Sequence, residues 1–275
     1  MMNRHGLARS RFAGAGLSGV AAIALMAACC APESSDAASA PVIGTAASEA
    51  EAVVFQNNEN RHDSTREFAY NWPAEISAIP ELADQLIAER GAALAEQHSD
   101  FEEAMREFAD SECIACTNRD YAKDWAVVAD LPRFLSLSAS LYVYGGGAHG
   151  NSFFDALVWD REAYEALRLR DFFVSDAAIQ QAFGARWCSA LQRERVKRLG
   201  EEYASDDFFT CPDVADLTLV PASSDNMKFD RMELLAAPYV AGSYVEGSYE
   251  ITLVFDAKAL AAVKPEYRGH FAVAK

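Results

Sequence analysis

The chain has 275 residues, half of them hydrophobic and 11% aromatic, so it is long enough to bury one or two real cores and too apolar to stay disordered throughout. Its 41 acidic residues against 24 basic ones give a formal net charge of -17, a field that repels nucleic-acid phosphates and draws in cationic partners. No nucleic acid is expected among its partners.

In chain order, Arg4, Arg9 and Arg11 precede an apolar run from Ala13 to Ala28, the charged-then-greasy order of a secretory signal. The run carries three glycines and falls short of the ~20 apolar residues that span a bilayer comfortably, so residues 1–28 read as a signal peptide rather than a permanent span. It ends Leu25-Met26-Ala27-Ala28-Cys29, which resembles a bacterial lipobox and makes Cys29 the expected lipidation site, although Met26 is unusual there. The plainer reading is two buried cysteines, Cys29 and Cys30, at the end of a cleaved signal. Cys30 follows without a retention-type Asp, which points to the outer membrane, facing the periplasm, with the chain held to the membrane by its lipid anchor. Residues 29–64, rich in Ala, Ser, Glu and Asn, read as a flexible tether.

Folded sequence is expected from residue 65. A short strand at Phe68–Pro73 precedes a helix opened by Pro80, and Ser99-Asp100-Phe101-Glu102 has the form of a capping box that would start a second helix. A strand at Trp125–Ala129 follows. Leu135 to Val143 then alternates, with Leu135, Leu137, Ala139, Leu141 and Val143 on one face and Ser136, Ser138, Ser140 and Tyr142 on the other. A second extended run covers Ser152–Trp159, which places Tyr144-Gly145-Gly146-Gly147-Ala148-His149-Gly150 between two antiparallel strands. Asp176 is the expected cap of a long helix carrying Ile179, Phe183, Trp187 and Leu191. From Pro212 onward the pattern is strand and turn. Helices and strands are segregated rather than interleaved, so the fold class is α+β, as two adjoining modules of mostly antiparallel sheet with packed helices.

Each chemistry-bearing candidate has a plainer reading beside it. A phosphate loop needs glycines that open a helix and a following Lys, and neither fits here, so the tri-glycine run reads as a tight turn using positive φ. His149 has no histidine in HxH or HxxxH register, so it reads as a structural turn residue rather than a metal ligand, and no metal or cofactor is assigned. Apart from Cys29 and Cys30, Cys113, Cys116, Cys188 and Cys211 allow three pairings in an oxidising compartment; the neighbourly one, Cys113 with Cys116 and Cys188 with Cys211, is preferred. Cys113-Ile114-Ala115-Cys116 also has redox-motif spacing, but the acidic Asp110-Ser111-Glu112 before it opposes a reactive thiolate. Asp206, Asp207, Phe208 and Phe209 form an acidic-aromatic patch that reads as a solvated loop. Tyr239, Tyr244 and Tyr249 flank a glycine-spaced turn, as contact anchors or as half-buried strand residues.

The order of the GGAHG turn, Leu167-Arg168-Leu169-Arg170-Asp171-Phe172-Phe173, a long helix and Ala237-Pro238-Tyr239-Val240-Ala241-Gly242 resembles a family of paired bacterial envelope domains of unknown function. These domains are shared by the lysozyme-sensing anti-sigma factor RsiV and the peptidoglycan deacetylase PdaC. The resemblance runs from about Phe68 to the C-terminus and implies a PdaC-like module over 65–159 and an RsiV-like module over 160–275. Too few residues precede the apolar run for a sigma-binding segment, and the deacetylase metal ligands have no counterpart, so only the non-catalytic modules are implied.

The resulting expectation is a non-enzymatic envelope lipoprotein that binds lysozyme-like cationic protein or peptidoglycan through a rim of Tyr144, His149, Asn151, Tyr239 and Tyr244. The alternatives are an envelope hydrolase pairing His149 with Asp155, and a structural partner in a lipoprotein assembly.

Overall fold

Ser64–Trp72, along which buried and open positions alternate, joins Arg119–Asp130, Phe134–Tyr144 and Asn151–Asp160, the last two buried on both faces at one end, in the central sheet of the computed structural model, which describes residues 50–201 and 210–274. With β1 (Val53–Gln56), β2 (Glu59–Arg61) and β7 (Glu165–Leu167), these strands, β3 to β6, form a seven-stranded sheet. Its order is β1-β3-β4-β5-β6-β7, and β2 lies beside β3. Only the β3–β4 pair is parallel, and a parallel pair needs a long crossover. That crossover contains the short helix α1 (Ala74–Ser77), the long helix α2 (Pro80–Glu107) and the turn-length α3 (Ile114–Thr117).

Two sequence expectations are corrected in this region. The capping-box residues Ser99 to Glu102 start no second helix; they lie inside α2, because Gln97, Phe101 and Ala104 continue the buried stripe that Leu82 and Leu86 begin. The tether expected over 29–64 already contains β1 and β2, since Val53 and Phe55 pack on the first core and β1 pairs with β3 from Val53↔Trp72 onward. The signal peptide, Cys29 and the Asp206–Phe209 patch lie outside the described residues.

The sheet faces two different layers. α2 covers one face, where Phe68, Tyr70, Trp72, Leu86, Trp125 and Leu137 form the first core. Against the lower part of the other face lies a three-stranded antiparallel sheet, β10-β9-β8, made of β8 (Thr218–Ala222), β9 (Arg231–Ala236) and β10 (Tyr249–Val254). Phe134 and Val158 enter its core, and the buried Ser136 hydroxyl donates to the Pro221 carbonyl at 2.6 Å, which satisfies a group that would otherwise be stranded.

Helix α4 (Asp176–Leu199) closes this second layer with α5 (Ala257–Ala262), burying Phe183 and Trp187 among Phe173, Phe229, Phe255 and Phe271. Its N-cap is Ser175, whose side chain accepts from the Ala178 amide, and Asp176 is the first helical residue. Among the described residues two disulfides are formed, Cys113–Cys116 and Cys188–Cys211, the second joining α4 to the segment before β8. The fold is α+β. No helix among the described residues is long and apolar enough to cross a membrane.

Candidate functional site

Strands β5 and β6 remain paired up to Val143↔Asn151, so the chain must reverse within residues 145–150. Gly146 and Gly147 supply the reversal at φ +91° and +100°, where a side chain is strained, and a Cβ on Gly146 would also lie 3.0 Å from the Cys116 carbonyl. The turn rests on the Cys113–Cys116 loop. The Tyr144 hydroxyl reaches the carbonyls of Gly147 at 2.7 Å and Ala115 at 3.1 Å, and Gly147 N–H points at Ala115 O from 3.4 Å. Gly150 is required for a different reason: the Tyr142 ring passes 2.4 Å from where its Cβ would be.

This turn presents His149 outward. Its Nδ1 lies 2.9 Å from the Gly150 carbonyl and so acts as donor, leaving Nε2 as acceptor toward the Tyr239 hydroxyl at 3.4 Å. The imidazole stacks on Tyr244 with centroids 3.9 Å apart and an interplanar angle of 20°, while Tyr239 lies 5.7 Å from Tyr244. Three residues that are 90 or more positions apart in part thus form one aromatic cluster on the surface, with Tyr239 54% exposed.

The segment that delivers the two tyrosines, 237–248, is held firmly. Val240 N–H bonds to the Ala237 carbonyl at 3.0 Å, closing a turn with Pro238 second and Tyr239 third at φ +71°. That third position normally goes to glycine. Farther along, Ser243 and Glu246 form a capping box, and the Tyr249 hydroxyl donates to Glu246 at 2.6 Å. From α4, Arg198 donates to the carbonyls of Glu246 at 3.0 Å and Ser248 at 2.7 Å, and Arg195 donates to Ala241 O. Burial would raise the Glu246 carboxyl, but the Tyr249 and Ser243 donors and the Arg195 charge outweigh it and hold the carboxyl below its ordinary range. The same burial and the adjacent carboxylate push the Tyr249 phenol up to about 12.

Of the residues expected to form the rim, the structure brings together His149, Tyr239 and Tyr244; Tyr144 buttresses the turn from below, and Asn151 stands exposed at the start of β6. Asp155 is not brought to His149. It registers with Ala139 on the face toward α2, where Lys123 holds it at 2.7 Å. Lys123, itself buried, also bonds Glu89 and lies 4.7 Å above the Trp125 ring, so its charge is matched within the core. Sequence reasoning missed Arg195 and Arg198; their spacing of three, one helical turn apart near the end of the helix, was the available signal.

Residues 59–152, from β2 to the second residue of β6, match the family model described as Deacetylase PdaC. Over those residues the chain is similar to the PdaC family. The PdaC-like segment holds the α2 crossover, the Cys113–Cys116 loop and the whole glycine turn, whereas Tyr239 and Tyr244 come from beyond it. Among solved structures, the chain is similar to a DUF3298-family member from Bacteroides fragilis, with 18% identity, TM-score 0.49, and 80% of this chain and 96% of that one covered. It is also similar to a DUF3298-family protein from Pseudomonas aeruginosa, with 17% identity, TM-score 0.45, and coverage of 78% and 94%. No curated protein matches the chain.

Proposed function

We propose that this PdaC-like protein is a lipid-anchored envelope protein that binds a macromolecular ligand and carries out no reaction of its own. The observation that carries the reading is Tyr239, an exposed aromatic held at φ +71° in a turn position that favours glycine. Left-handed backbone at a non-glycine residue costs of order 1–3 kcal/mol and persists where the surroundings impose it, often at ligand clamps. An exposed, preorganised cluster of Tyr239, Tyr244 and His149 is the kind of anchor that binding surfaces use, because rigid aromatic rings bury much area at little entropic cost. Both His149 nitrogens are engaged, one with its own loop and one with Tyr239, which favours a positioning imidazole over one that shuttles protons.

The ligand classes that fit are a cationic wall-degrading protein such as lysozyme, favoured by the acidic chain, and peptidoglycan, whose sugar rings suit aromatic faces. The anchor is Cys29, with the folded part facing the periplasm from the outer membrane. The test measures binding of the full-length protein in detergent to lysozyme and to purified peptidoglycan at low salt, alongside Tyr239→Gly. Binding to at least one, weakened tenfold or more by the substitution, is expected; binding to neither overturns the reading. Incorporation of labelled lipid that Cys29→Ser abolishes checks the anchor.

A further inference from the structure

The central sheet sorts its charges by face. In β3 and β4 the three cations, Arg66, Arg119 and Lys123, all point toward α2 and are buried. Each is matched there: Arg119 by Asp100 at 2.5 Å, Lys123 by Glu89 and Asp155, and Arg66 by Gln97 at 3.2 Å and by the Asn57 side chain at 2.6 Å. Three acids of the same two strands, Glu67, Asp120 and Asp124, occupy the alternate positions and so point to the other face, whereas Asp130, past the β4 bulge, is held by Arg161 at 2.6 Å.

On that other face no element among the described residues covers the upper sheet. Glu67, Asp124, Ser140 and Ser152 are exposed, and Ala69 and Ala122 between them are half-buried small residues, which leaves a flat floor. Register places Glu67 directly beside Asp120 and Asn71 beside Asp124, while Tyr142 lies opposite both Ala122 and Ser152. The Asn71 amide donates to Asp124 at 2.5 Å; neither Glu67 nor Asp120 has an ion pair with a cation among the described residues. Like charges directly across two strands destabilise a sheet. Burial and then the Glu67 charge raise the Asp120 carboxyl, and the Tyr142 phenol is raised by burial, by Asp120 and by Tyr244. The floor therefore runs from the acids, past Tyr142, to the aromatic cluster.

We infer that this open sheet face, bounded by Tyr142 and Tyr244, is the docking surface for a basic polypeptide, whose lysine or arginine side chains pair with Glu67, Asp120 and Asp124. Alanine and serine on the floor let a partner's backbone and long cationic stems approach closely. A second copy of this chain, at -17, is repelled by the same field that draws the basic partner in. The inference rests on the binding role proposed above and selects one of its ligand classes.

The test compares the full-length protein with the neutral triple variant E67Q/D120N/D124N and with Tyr239→Gly, using poly-L-lysine, lysozyme and peptidoglycan as separate probes. Circular dichroism melting checks the fold. The parent is expected to bind both basic probes at low salt; the triple variant is expected to lose tenfold or more in affinity, with a flatter dependence on ionic strength and no loss of melting temperature. Unchanged affinity and salt dependence in the triple variant, with Tyr239→Gly still weakened, would overturn the docking face and leave the binding role standing. Binding to peptidoglycan alone, or self-association in place of heterologous binding, overturns it too. A parent that binds no probe overturns both.

Discussion

A tyrosine in a glycine's conformation sets up an opposition between stability and binding. Tyr239→Gly relieves the left-handed cost of order 1–3 kcal/mol and gives back about 0.5–1 kcal/mol in chain entropy, so the variant should melt at or above the parent's temperature while binding worse. Tyr239→Ala keeps the strained backbone and should not gain stability, which separates the two effects by calorimetry. Gly150→Ala should cost stability through a clash, since the Tyr142 ring has to move from a position 2.4 Å from the new methyl. Asp160 illustrates the opposite electrostatic case. Burial raises its carboxyl, yet the Arg133 guanidinium at 2.6 Å and the Glu162 and Ala163 amides more than reverse this and hold it below 3.8. Stability from this group is therefore present above the unfolded carboxylate range and is lost as pH falls through the lowered folded value. Asp160→Asn should cost on the order of 3 kcal/mol at neutral pH and flatten the acid limb of a stability–pH curve measured by urea unfolding.

Elements are tied together by a few cross-links whose loss has unequal effects. The Cys188–Cys211 disulfide closes a separation of 23 residues, worth about 3 kcal/mol in the chain-entropy model, against about 2 kcal/mol for the three-residue separation of Cys113–Cys116. Replacing the first pair by serines should lower the urea midpoint more than replacing the second. The second pair should show its effect locally: the Cys113–Cys116 loop supports the glycine turn through Ala115 and Cys116, so its removal should speed amide exchange at Gly146 and Gly147. On the far side of the cluster, the α4 arginines hold the tyrosine-bearing segment by its carbonyls. Arg198→Met should leave α4 folded and loosen 244–248, read as lost dispersion of the Tyr244 ring resonances in NMR spectra.

For the molecule as a whole, charge is arranged rather than merely abundant. Within β3 and β4 the cations lie inside, on buried pairs with α2 and β6, and the acids Glu67, Asp120 and Asp124 are left outside on an open face. Such an arrangement trades some stability for a field aimed outward. Because burial and Glu67 raise the folded Asp120 carboxyl above 3.8, the folded state binds more protons than the unfolded chain between those values, and stability falls as pH rises through that window. Asp120→Asn should accordingly raise the melting temperature at pH 7 and leave it unchanged near pH 3, measured by scanning calorimetry.

Much of this was legible along the chain, because each legible feature is local. Period-2 alternation over Leu135–Val143 marked the central strand, four-residue spacing from Ile179 to Leu191 marked α4, and consecutive glycines before His149 marked a turn needing positive φ. The neighbouring cysteines proved to be the bonded ones. Charge alternation in Arg66-Glu67 and in Arg119-Asp120 and Lys123-Asp124 was equally present, but its meaning depends on which face α2 covers. Local pattern fixes which side chains share a face; it does not say what packs there. Tertiary structure alone ran Ser99 through the middle of α2, drew Val53–Arg61 into the sheet, took Asp155 to Lys123 rather than His149, and set Tyr239 and Tyr244 against an imidazole some 90 residues away. Those contacts depend on how the two layers pack, a long-range balance of burial and pairing that no window of neighbouring residues contains.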